Sequence, residues 1–111
     1  MMPSQYVFIE SRDQFDPMDG GFVANTASAL RERGCAVTVF LVQNAVLATR
    51  QYAYGSCVGQ LAAKGVTVLA DDFSLRERGI EPSELAAGVQ PAPIGRLVDL
   101  MVQPDAKTLW H

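Results

Sequence analysis

The chain has 111 residues, 49% of them hydrophobic and 19% charged, with 9 Lys+Arg against 12 Asp+Glu and a net charge of −3. That length suits one domain of about 100–150 residues, and the apolar content excludes a disordered chain. The acidic balance and lack of a basic patch argue against nucleic-acid binding, and no apolar run approaches the roughly 18–20 residues of a membrane span.

In chain order, the first apolar run covers residues 6–9, the second 35–42 and the third 66–70. None alternates between polar and apolar, which is the pattern of strands covered on both faces in a parallel sheet. The intervening segments are long enough for helical crossovers. Between the first two runs, Phe22, Val23, Thr26, Ala27 and Leu30 form one stripe of a helix over 21–33, with Gly34 placed to end it. The second gap divides into a short helix over 44–51 and a helix over 57–64 that Ser56 would cap. Past the third run, Ser74 and Glu77 have capping-box spacing, so a short helix is expected to start at Ser74. A short fourth strand is expected near 88–90. Ile94, Leu97, Val98 and Met101 then fall at i, i+3, i+4 and i+7 of a helix, and 107–110 reads as the last strand. The sum is one α/β domain over 1–111: a three-layer, open, mostly parallel sheet of about five strands with helices on both faces.

Cysteine and histidine are scarce, with Cys35, Cys57 and His111 as the complete set. They cannot build a Cys/His zinc site, so no metal is expected. No basic residue precedes the first apolar run, which does not read as a signal peptide. Two cysteines in that setting suggest reduced thiols and a cytoplasmic location. There is no Walker A sequence, no dinucleotide fingerprint and no nucleophile elbow, and no cofactor is expected. Gly20 and Gly21 before a helix are a weak anion-binding signal.

Open α/β sheets bind ligands beyond the carboxyl ends of their strands. Those ends carry Glu10, Ser11, Arg12 and Asp13, then Gln43 and Asn44, then Asp71 and Asp72. Ordinary caps and turns also favour such residues. Asp71 and Asp72 are adjacent and point apart in extended chain, so they read first as helix caps and second as pocket-lining groups. Cys57 would sit in the first turn of its helix, where the dipole favours thiolate; the competing reading packs it against the sheet. Cys35 begins a buried strand and reads as structural, and Arg50 reads as solvent-facing.

Three blocks resemble the DsrE/DsrF-like family. They are Val7-Phe8-Ile9-Glu10-Ser11-Arg12-Asp13, then Val37-Thr38-Val39-Phe40-Leu41-Val42-Gln43-Asn44, then Gly65 to Asp71 followed by Leu75-Arg76-Glu77-Arg78-Gly79-Ile80. Their order and spacing span nearly the whole chain. The resemblance implies a YchN-like fold in small cytoplasmic proteins that assemble as trimers or hexamers. It also implies sulfur relay, in which several members carry a persulfide on a cysteine after the third strand. Counting eight residues back from Gly79 to that position reaches Asp71, a carboxylate. A carboxylate cannot form a persulfide, because the thiolate is the sulfur-accepting species.

Two functional readings follow. In the first, the chain is a binding or assembly subunit without the carrier thiol, tied to intracellular sulfur metabolism. Its ligand pocket would be edged by Ser11, Arg12, Gln43, Asn44 and Asp71, with Arg12 holding an anion. In the second, it is a sulfurtransferase carrying a persulfide on Cys57. Both expect a homo-oligomer, with Tyr52, Tyr54 and Trp110 available to an interface, and a possible sulfur-relay partner protein.

Overall fold

A computed structural model describes residues 5–13, 21–50 and 58–111. Five strands form one sheet: β1 (Gln5–Glu10), β2 (Ala36–Leu41), β3 (Thr67–Asp71), β4 (Val89–Ala92) and β5 (Ala106–Trp110). All neighbouring pairs are parallel, in the order β4-β3-β2-β1-β5. The expected α/β sheet is therefore present, with every pair parallel. β4 reaches past the expected 88–90 and includes Pro91, which an edge strand tolerates because one side of its backbone needs no ladder partner.

Helix α1 (Phe22–Glu32) follows β1, a 3-10 helix (Gln43–Thr49) and α2 (Val58–Ala63) follow β2, and α3 (Asp72–Glu77) follows β3. A short 3-10 turn (Pro82–Glu84) precedes β4, and α4 (Ile94–Met101) connects β4 to β5. Successive side chains of each strand point to opposite faces, so the core divides in two. On one face Phe8, Val39 and Val68 pack with Val23 and Ala27 of α1 and Leu61 of α2. On the other face Val7, Ile9, Phe40 and Leu69 pack under Leu97 and Leu100 of α4.

Four expectations are corrected. The segment expected as a helix over 44–51 is a 3-10 helix over Gln43–Thr49, in which Ala45, Val46, Ala48 and Thr49 are all buried. Burial on so many sides suits the tighter coil, and the Thr49 hydroxyl donates to the Val46 carbonyl at 2.6 Å. Helix α3 starts at Asp72 rather than Ser74, because the Asp71 side chain caps it by accepting from the Ser74 N–H at 3.1 Å. The α1 stripe turns Val23 and Ala27 inward but leaves Phe22 exposed. In α4 the apolar spacing does not mark one buried stripe. Leu97 is buried, while Ile94, Val98 and Met101 are 54%, 52% and 43% exposed. The helix rests on Leu97 and Leu100, which places the other three on its outer side.

Candidate functional site

Two concave sites open near the carboxyl ends of the strands, one on each face. The first is a groove on the α4 face, of about 460 Å³, whose polar residues are Gln43, Asn44, Asp71, Ser74, Glu77 and Arg78. Its apolar wall includes Phe73, Ile94 and Trp110. A volume in this range suits a small metabolite.

The groove's polar side is built by the start of α3. Asp71 ends β3 with its side chain on the α4 face, buried. Its Oδ2 accepts from the Ser74 N–H at 3.1 Å and from the Ser74 hydroxyl at 2.7 Å. The Ser74 oxygen in turn accepts from the Gln43 N–H at 2.9 Å. Gln43 has φ 51°, a left-handed conformation that a non-glycine residue holds only where the surroundings impose it. The bond to Ser74 is one such restraint, and it turns the chain from β2 into the 3-10 helix at the groove. One turn on, Arg78 Nη2 donates to Asn44 Oδ1 at 3.0 Å and Nη1 donates to the Ser74 carbonyl at 3.3 Å. The guanidinium therefore fastens the β2 and β3 ends together beside the groove. Asp71 is thus the cap of α3 and also a wall of the groove, so both readings of that residue are realised in one geometry.

The second site is a crevice on the opposite face, over β2 and β3 and under α1 and α2, with the end of β1 and His111 at its rim. From β1 the chain moves through β2 and β3 to β4, and then returns to the other side of β1. His111, which follows β5, is the residue that reaches the crevice rim from that side. The crevice is lined below by Val39, Leu41, Leu61 and Val68, and at its rim by Glu10, Arg12, Asp13, Phe22 and His111. His111 Nδ1 lies 2.8 Å and 3.1 Å from the two Glu10 carboxylate oxygens. The Arg12 N–H donates to Glu10 Oε1 at 2.9 Å. The His111 and Phe22 ring centroids are 5.2 Å apart. The main chain locks the same corner: the Ser11 N–H donates to the His111 carbonyl at 2.9 Å, and the His111 N–H to the Ile9 carbonyl at 2.8 Å.

The structure therefore gathers Gln43, Asn44 and Asp71 into one groove and places Arg12 at a different cavity. Ser11 is the hinge of the β1–β5 corner, its hydroxyl donating to the His111 carbonyl at 3.2 Å. Cys57, with Tyr52, Tyr54 and Ser56, lies outside the described residues. Cys35 is buried in the core as expected. Sequence reasoning missed Ser74, Arg78 and the Glu10–His111 pair. Ser74 and Arg78 were visible as i+3 and i+7 from Asp71 on a short helix, whereas Glu10 and His111 are 101 residues apart and meet only through the register of β1 with β5. Among the described residues no cluster of His, Cys, Asp and Glu is arranged to hold a metal ion. No helix among them is long and apolar enough to cross a membrane.

These features define a single-domain, all-parallel α/β protein with its concave sites at the strand ends. No known family profile matches the chain, and no curated protein matches it. Among solved structures it is similar to the YchN protein of Escherichia coli, with a TM-score of 0.81 and 22% identity over 100% of both chains. It is also similar to a protein of unknown function from Methanobacterium thermoautotrophicum, with a TM-score of 0.78 and 19% identity over 96% of this chain and 98% of that one. The chain has the YchN-like fold.

Proposed function

We propose that the protein is a DsrE/DsrF-like binding or assembly subunit, tied to intracellular sulfur metabolism, that works without the family's carrier thiol. The observation that carries this reading is the state of Asp71. The position that the resemblance assigns to the carrier cysteine holds a buried carboxylate, whose Oδ2 accepts from both the N–H and the hydroxyl of Ser74. That group organises the groove instead of carrying sulfur. Gln43, Asn44 and Arg78 then form the polar side against which a small metabolite or a partner's side chain is oriented. The exposed apolar residues beside the groove, Phe73, Ile94 and Trp110, fit a homo-oligomer of the trimeric or hexameric kind, or a sulfur-relay partner protein.

Intact mass after incubation with a sulfane-sulfur donor at neutral pH, without reductant, tests the reading. The wild type is expected to gain no sulfur. Asp71→Cys placed on Cys57→Ser is expected to gain about 32 Da, one sulfur, because the groove then holds a thiol at the carrier position. A gain on the wild type that Cys57→Ser abolishes would replace this reading with the second one, a sulfurtransferase using Cys57.

A further inference from the structure

We propose that the groove beside Asp71 takes a small primary alkylammonium ion, whose N–H groups donate to the second oxygen of that carboxylate. This rests on the groove's role as a binding site in the reading above and names its ligand class. Asp71 lines the groove and is only 7% exposed. Both of its hydrogen bonds, from the Ser74 N–H and the Ser74 hydroxyl, fall on Oδ2. Among the described residues Oδ1 accepts none. A carboxylate oxygen held away from water without a donor loses hydration and gains nothing in return. A ligand N–H entering the groove supplies that donor. The acceptor is also fixed in place, because Ser74 holds the other oxygen and Ser74 is itself held by the Gln43 N–H at 2.9 Å. A site ordered in advance loses little freedom when its ligand arrives.

The charges of the groove select a cation. Its ionisable residues are Asp71, Glu77 and Arg78, two carboxylates against one guanidinium. Arg78 is committed to Asn44 Oδ1 at 3.0 Å and to the Ser74 carbonyl at 3.3 Å, so turning it toward an anion would undo the link between the β2 and β3 ends. The remaining charged side chains of α3, Asp72 and Arg76, pair with each other at 3.8 Å and line a different concavity. Those of α4, Arg96 and Asp99, line another. On β5, Lys107 alternates with Leu109 rather than with Trp110, and Leu109 packs on the α1 face. The walls select the body of the ligand. Ile9, Ile94 and Leu97 are aliphatic, and Phe73 and Trp110 offer exposed rings. Alkyl carbons bury against the first three, and an ammonium beside a ring face gains a cation–π attraction. A hydrated metal ion has no use for such walls.

Trp110 is the chain's single tryptophan and stands on the groove wall, so its fluorescence reads occupancy on the full chain, with calorimetry of the same titrations as a second readout. The probes share one butyl body: butylammonium, butyltrimethylammonium and butyrate, at neutral pH. Butylammonium is expected to change the emission saturably and butyrate to leave it unchanged at the same concentration. Butyltrimethylammonium keeps the charge but has no N–H, and is expected to bind about tenfold to hundredfold more weakly, the worth of a hydrogen bond to a charged group. Asp71→Asn keeps an acceptor for the α3 cap and is expected to abolish butylammonium binding. Ile94→Lys, at an exposed position on the wall, places a cation at the groove without disturbing that cap and is expected to weaken binding about threefold or more. Butyrate or butyltrimethylammonium binding as tightly as butylammonium would overturn the proposal. So would butylammonium binding that Asp71→Asn leaves intact, or a wild type that shows neither emission change nor heat. Nα-acetyl-lysinamide binding more tightly than butylammonium would overturn the free-ligand form and give the groove to a lysine of a partner protein. Sulfur loading of the wild type would end the carrier-free reading and leave these titrations standing, so the two proposals fail separately.

Discussion

On one face of the sheet, α1, the 3-10 helix and α2 cover Phe8, Val39 and Val68; on the other, among the described residues, α4 alone covers Val7, Phe40 and Leu69. The strands are buried equally deeply beneath both covers, with Phe8 and Phe40 each at 0% exposure. The covers differ in what they show to solvent. The α4 face presents Ile94, Val98, Met101 and Val102, with Phe73 and Trp110 nearby, as large exposed apolar residues. Among the described residues the α1–α2 face adds only Phe22 to that set. The strands are buried beneath three helical elements on one face and beneath α4 on the other, but the outer side of α4 stays apolar. The lesson is that burial of the sheet and completion of the surface are separate problems, and this chain solves the second on one side only.

The largest expected effects test whether the two covers are equally firm. Phe8→Ala and Phe40→Ala should each cost about 3–5 kcal/mol in urea unfolding, the range for a buried phenylalanine. A cost for Phe40→Ala below half that for Phe8→Ala would show that the lone helix relaxes into the cavity, and would sharpen the contrast. Gly88→Ala comes next, at about 1–3 kcal/mol. Gly88 has φ 86°, and a Cβ there would sit 2.7 Å from the Ala62 Cβ of α2. That substitution wedges β4 from the multi-helix cover and should lower the denaturation midpoint without changing the slope. Asp71→Ala follows, at about 1–2 kcal/mol, through loss of the α3 cap. Asp71→Asn retains an acceptor and should recover part of the difference, read in the same unfolding experiment. The smallest stability effect belongs to Val98→Asp, expected within about 0.5 kcal/mol of the wild type because the side chain is already at the surface. Its effect should appear in sedimentation instead, as a shift to a smaller species at micromolar concentration. An unchanged sedimentation profile would remove the α4 face from the proposed assembly.

Most of the sheet was legible in the sequence because a parallel strand buried on both faces advertises itself as a nearly continuous apolar run; 6–9, 35–42 and 66–70 are such runs, broken only by Thr38 and Thr67, and each is a strand. β4 was harder, because it is short and Pro91 masks its strand character until its edge position is known. The direction that α4 faces was not legible. Ile94, Leu97, Val98 and Met101 have helical spacing, but spacing identifies a stripe and not which neighbour covers it. The candidate site was legible in part. The rule about strand ends found Gln43, Asn44 and Asp71 together, and it found Arg12 but assigned it to the same pocket. The pleat decides that separation: Glu10 and Asp71 end their strands on opposite faces, a distinction that needs the strand register. His111 could not be placed from sequence at all, because nothing local ties a residue at one end of the chain to Glu10 at the other.

That last pairing has a kinetic consequence. β1 is an interior strand, yet one of its two partners is β5, so Gln5 pairs beside Ala106 only after the roughly hundred residues between them exist. Pairings that close so long a loop are slow to form. During synthesis β1 to β4 emerge in the order in which they add to the sheet, and the free edge of β1 stays open until the final strand arrives. The β5 strand and its His111–Glu10 clasp therefore join the sheet after β1 to β4 have emerged. Until that step, the exposed edge of β1 is the place where a second chain competes for the same backbone.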